Sequence, residues 1–254
     1  MIWSFASILL FTDYSFSARN MGMGEANMGI LDEVSATELN PSLAASLRYG
    51  QVFLAGGNPS NFKFGAGKAF GRYGTSFIFG YGKDNDIKST KASLNFARNL
   101  YKNPYGTCID IGADGVFSHY DSLGTKENAF YGGGGFSFKP LPAFSFTAVY
   151  NGLGIKENSP IDKVYAYGIT YFFLDLGSFA FNRVKVGDKW EKRFGLEFYI
   201  KNIASTRLGI NEGNLCAGFG FKVKKFGADF GFTHKESENL FKGSISYFFG
   251  EENL

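Results

Sequence analysis

Charged side chains that share a strand face with glycine and serine are the first candidates for chemistry in this chain. Lys91 keeps the parity of Ser93 and Asn95, and Asp110 and Asp114 keep that of Gly112 and Ser118. Arg193, Glu197 and Lys201 oppose Phe194, Leu196, Phe198 and Ile200. Lys222, Asp229 and Lys242 share their faces with Gly220, Gly227 and Ser244 respectively. A charge buried without a partner is costly, so the plain expectation is that these groups pair with one another or with a segment lodged between them. The functional expectation is a polar path, or a latch that tunes passage.

Other chemistries are poorly supported. His119 and His234 fall at strand tips without a convergent set of cysteines or carboxylates, which a metal would need. Cys108 and Cys216 show no ligand spacing, and their placement at opposite heights seven strands apart argues against a disulfide. Gly22-Met23-Gly24 with Asn27 has no strand before it and no helix after it, as a dinucleotide loop requires. No Gly-x-Ser-x-Gly occurs. The sequence therefore predicts no enzyme and no cofactor.

Such charges need a scaffold with one wet and one apolar face. From residue 45 onward the chain alternates with period two, as in Val164–Phe173, where Tyr165, Tyr167, Ile169 and Tyr171 oppose Ala166, Gly168 and Thr170. The pattern predicts fourteen strands beginning near residues 46, 61, 73, 88, 105, 128, 143, 163, 177, 192, 204, 214, 226 and 240. The chain holds 30 Phe, 14 Tyr and 34 Gly in 254 residues, more aromatic than a soluble core that draws on Leu, Ile, Val and Ala. Lipid accepts rings without a packing partner, and closure removes strand edges whose unpaired backbone groups would be costly in hydrocarbon. The expected fold is all-β: a single closed antiparallel transmembrane β-barrel of about fourteen strands, preceded by an N-terminal plug. An even strand count fits the bacterial rule. Links after odd strands, such as 81–88, 119–128, 151–162 and 234–240, read as longer and more charged than links after even ones. That phase places the N-terminus on the periplasmic side. A net charge of +3 without a polybasic tract gives no footprint for nucleic acid.

Three segments follow: 1–17 as a signal peptide, 18–44 as a plug and 45–250 as the barrel. The apolar run Ile2–Phe11, followed by Asp13 and the small residues Ser15, Ser17 and Ala18, has the form of an export signal and is too short to span a bilayer as a helix. A barrel this wide is not filled by its own side chains. Residues 18–46 are suited to fill it. Gly22, Gly24 and Gly29 permit tight paths, Met21, Met23 and Met28 are adaptable apolar fillers, and Asn40-Pro41 forms a turn that delivers the chain to the wall.

The stretch MGMGEANMGILDEVSATELNPSLAAS resembles the N-terminal signature of the FadL-like outer-membrane β-barrel superfamily, in particular its PorV/PorQ/UPF0164-type branch. The start matches at Arg19-Asn20-Met21-Gly22-Met23-Gly24, and the turn at Asn40, Pro41, Ser42, Leu43 and Ala44. Leu39 stands where an aromatic is usual. Leu208-Gly209, AGFGFKVKKFGADFGF at 217–232 and GSISYFFG at 243–250 resemble the same group. The resemblance implies fourteen strands and a location in the bacterial outer membrane, in contact with its lipid. It also implies a passive channel for small hydrophobic or amphiphilic molecules that pass the plug through the lumen or a lateral gap. The alternative is an accessory or structural barrel of the PorV/PorQ type that docks a protein partner at its rim.

Overall fold

The computed structural model describes residues 17–250 apart from 31–32, 59, 85–86, 123–124, 155–162, 202 and 236–238. The expected signal peptide falls, except for Ser17, outside the described residues. The strands are β1 (Gly50–Asn58), β2 (Asn61–Phe70), β3 (Tyr73–Asp84), β4 (Ile87–Lys102), β5 (Cys108–Ser122), β6 (Thr125–Leu141) and β7 (Phe144–Leu153). They continue as β8 (Val164–Phe172), β9 (Gly177–Val186), β10 (Lys189–Ile200), β11 (Ala204–Asn211), β12 (Asn214–Val223), β13 (Phe226–His234) and β14 (Asn239–Phe249). Each strand pairs antiparallel with its sequence neighbours, and β1 pairs with β14 from Gly50↔Phe249 to Asn58↔Phe241, closing the barrel. The fold is therefore the all-β, fourteen-stranded closed barrel expected, and every backbone ladder finds a partner without an edge.

The two faces differ as the parity predicts. Outward residues such as Phe130, Phe226, Leu208 and Ile245 are exposed on every side of the wall. Many outer rings meet directly across neighbouring strands, the arrangement that stabilises a sheet face. Phe181 and Phe194 are register partners with centroids 4.8 Å apart, as are Tyr150 and Tyr165. Phe53 departs from this pattern. It points inward and is buried with Val34, Leu47, Ala55, Ala69 and Ile78, over Gly65, where a Cβ would collide with its ring.

Two expectations are corrected. The first strand begins at Gly50 rather than near 46, because Pro41–Ser46 winds into a 3-10 turn capped by Asn40. The stretches at 81–88 and 119–128 are not long links. β3 runs to Asp84 and β4 starts at Ile87, while β5 runs to Ser122 and β6 starts at Thr125. Charged residues there remain in the ladder because backbone hydrogen bonding is indifferent to side-chain polarity. The result is a taller rim, with β4, β5 and β6 of 16, 15 and 17 residues. Most of the link expected at 151–162 lies outside the described residues.

Before β1 come a helical turn, α1 (Ala18–Gly22), and 3-10 turns at Val34–Glu38 and Pro41–Ser46. The Ser17 hydroxyl caps α1 by accepting from the Asn20 amide at 3.4 Å. These elements lie inside the barrel as a plug. α1 rests on β11–β14, and the Pro41–Ser46 turn rests on β2–β6.

Candidate functional site: the plug and its seat in the lumen

Small residues on the wall let the plug backbone approach it. Inward glycines lie where a Cβ would strike plug backbone: Gly74 against the Ala44 carbonyl, Gly112 against Pro41 and Ser42, and Gly209 against Met23 and Gly24. Gly218 and Gly22 face each other in the same way, and Gly231 faces Ala18. Sequence parity put Gly112 on the polar face but could not say what it touches. Gly24 is constrained twice. Its φ is +59°, and a Cβ would meet the Ile210 amide and the Phe194 carbonyl at under 3 Å.

The predicted plug residues occupy distinct seats. Met23 packs with Ala26, Ile30 and Ala180, and Met28 packs with Val149, Val164, Ala166, Val184 and Val186. Met21 is buried with only 4% of its surface exposed. The Asn40 carboxamide accepts from the Ser42 amide at 3.1 Å and donates to the Met28 carbonyl at 3.2 Å, tying the two halves of the plug together. Pro41 takes the first position of its turn, where its missing N–H costs nothing. Among the described residues from Ser17 to Leu47, only Leu39 and Ser46 are even half-buried; the rest are buried. The described residues of the plug are thus almost wholly shielded from water.

Charges fasten the plug at three places. In the first, Arg19 Nη2 donates to Glu197 Oε2 at 2.7 Å, and Arg207 Nε donates to Glu197 Oε1 at 2.7 Å. Arg207 Nη1 lies 2.6 Å from Asp229 Oδ1, and Glu33 Oε2 lies 3.9 Å from Arg19 Nη1. Burial pushes the Glu33 carboxyl up to about 7, against the pull of Arg19. In the second, Arg193 Nη1 meets Glu25 Oε2 at 3.1 Å and also pairs with Glu191, while Asn211 donates to Glu25 at 2.9 Å. In the third, Glu38 pairs with Lys63 and, at 3.3 Å, with Lys91. Burial opposes ionisation of Glu38, but the two ammonium groups outweigh it and hold the carboxyl below its ordinary value.

The charges singled out by parity are distributed as follows. Lys91, Arg193, Glu197 and Asp229 belong to the three fasteners. Asp110 accepts from the Ser46 hydroxyl and from Asn99, both at 2.7 Å, at the end of the plug. Asp114 accepts from Asn151 at 3.3 Å, and Lys242 is buried on the inner face of β14. Lys201 and Lys222 part from the group. Lys201 sits in the turn after β10 with a φ of 50° and is exposed, because the strand ends one residue before it. Lys222 is exposed near the end of β12, its ammonium 4.3 Å from the centre of the Phe248 ring. Parity assigns a face, but not how far along the wall the lumen extends.

Sequence reading missed Arg207, Glu191 and Lys63 on the wall, although each keeps the glycine-bearing parity of its strand. It also missed the plug partners Arg19, Glu25, Glu33 and Glu38, for which the only available signal was their charge within a stretch of small residues. The remaining polar groups of interest stay apart. His119 and His234 each hydrogen-bond an asparagine across their hairpins at 2.8 Å, and both cysteines are buried and free. Among the described residues no group of three or more His, Cys, Asp or Glu could hold a metal ion.

No family model and no curated protein matches the chain in sequence. Solved structures match it in shape. A FadL homologue from Pseudomonas aeruginosa superposes with a TM-score of 0.65 at 9% identity, over 92% of this chain and 98% of that one. The Pseudomonas putida toluene transporter TodX gives 0.65 at 9% identity, over 94% and 98%. The Acinetobacter baumannii outer membrane protein Omp33 gives 0.58 at 10% identity, over 80% and 98%. By its closed wall of antiparallel strands, aromatic outside and polar within, the chain is similar in fold to the FadL-type barrels.

Proposed function

We propose that this protein is a channel of the bacterial outer membrane for small hydrophobic or amphiphilic molecules, gated by the segment that fills its lumen. Residues 1–17 serve in this reading as the export signal, 18–44 as the gate and 45–250 as the conduit. The observation that carries it is the near-complete burial of the plug on seats made of glycine and ion pairs. A segment needed only to stiffen the barrel could be held by apolar packing alone. Ion pairs between plug and wall instead offer a contact that can exchange for water when the plug moves. The likeness to a toluene transporter supports apolar cargo. Hydrogen-bonded strands run unbroken around the barrel among the described residues, which favours the lumen over a gap in the wall as the route.

Purified protein in liposomes tests this, with and without residues 18–44. The expected result is low permeability to small amphiphiles in the intact protein and a clear rise in the deleted form. Equal, negligible permeability in both forms overturns the reading.

The taller rim formed by β4, β5 and β6 favours a second role, docking of a protein partner there. Crosslinking in native membranes separates the two. A stoichiometric protein partner at the rim supports docking, and an isolated barrel supports transport.

A further inference from the structure

We propose that Glu33 is a proton-operated latch: its protonated form keeps the plug docked, and its ionisation loosens the plug from the wall. Glu33 directly precedes the 3-10 turn at Val34–Glu38, and it is buried to 5% exposure. Its Oε2 has no hydrogen-bond donor, and the nearest cation, the Arg19 guanidinium, is 3.9 Å away. That guanidinium is already committed to Glu197 at 2.7 Å, and Arg207 is shared between Glu197 and Asp229. Three carboxylates thus converge on two guanidiniums, leaving one carboxylate poorly compensated. Lys63 and Lys91, on β2 and β4, are held by Glu38, while Lys242 is buried on the inner face of β14. Among the described residues Ser35, through a side-chain hydrogen bond, and Arg207 lower the Glu33 value, whereas Asp229 raises it.

Burial, opposed by Arg19, moves the group from 4.5 to about 7. The sign follows from linkage. The undocked plug gives up the Glu33 proton near 4.5, and the docked plug only near 7. The Glu33 contribution to docking is therefore complete below 4.5 and weakens as pH rises between those values, by about tenfold per unit, then levels off. Such a latch would couple opening to the proton concentration on the side from which the plug is reached. Plug docking is read directly, so the test stands whether or not the barrel transports anything.

The experiment is hydrogen exchange on the full protein in detergent micelles, corrected for intrinsic rates. The amides of residues 19–47 are followed against pH, with strand amides as the internal reference. Protection of the plug is expected to fall about tenfold per pH unit up to about 7 and to flatten above it, while the strands hold steady. In Glu33→Gln the slope should vanish, with the plug protected as in acid. In Asp229→Asn the levelling point should move to lower pH, because removing that charge eases ionisation of Glu33. Plug protection independent of pH in the unaltered protein overturns the latch. So does a slope shared with the strands, or one that survives in Glu33→Gln.

Discussion

Phe219 and Gly220 are neighbours on β12, yet they answer to different constraints. Phe219 is 47% exposed on the outer face, where it stacks on Phe230 across the strand pair. Gly220 is buried on the inner face, where a Cβ would strike Asp229 Oδ1 and the Arg207 guanidinium. Outside, in the membrane setting proposed, any apolar side chain is nearly as good as another, because hydrocarbon makes no geometric demand. Inside, many positions are fitted to a particular partner, since the plug backbone and the inward charges pack close against the wall. The wall is tolerant on one face and specific on the other, with the boundary drawn at every residue.

Substitutions on the two faces put that contrast to the test. The largest effect is expected for Glu197→Ala, which removes the acceptor shared by Arg19 and Arg207 and strands both in a buried site. Loss of one partner of a buried pair costs about 3–5 kcal/mol, to be read as lowered plug protection in hydrogen exchange and lowered stability in denaturant. Next comes the outer face. Phe219→Arg should cost about 2–4 kcal/mol in folding into vesicles. Phe219→Leu should stay within about 0.5 kcal/mol. If the two variants behave alike, that face does not meet hydrocarbon. A smaller effect is expected for Gly74→Val. Its branched side chain would meet the Ala44 carbonyl and cost about 1–3 kcal/mol, lifting the turn at Pro41–Ser46 without unfolding the strands. Equal proteolysis of the plug in this variant and the unaltered protein would show that the glycine seat is not needed.

The legible part of the molecule was the part governed by period two. The starts of β2, β3, β9, β11, β12 and β13 coincide with the places where alternation begins, because one face of the wall is apolar and the other polar. Legibility failed where alternation was not the controlling force. Asn40-Pro41 signals a turn, but nothing local says that the turn continues as 3-10 winding to Ser46. Hairpin ends rich in Lys, Asp and Asn look like loops, yet they stay paired in the ladder. At the site, parity placed Glu197 and Asp229 on the same face but gave no hint that Arg207 lies between them. It also passed over Arg19, 178 residues from the carboxylate it binds.

By itself, the sequence determined that this chain makes a many-stranded wall with an apolar outside and a polar inside. It also determined that a small-residue segment precedes that wall, because these properties are written in neighbouring residues and their spacing. Tertiary structure alone decided which inward charges meet, which glycines carry the plug and which carboxylate oxygen is left without a donor. Those outcomes depend on barrel closure and on the height at which each strand crosses the lumen. Both are set by register summed over fourteen strands rather than by any local pattern.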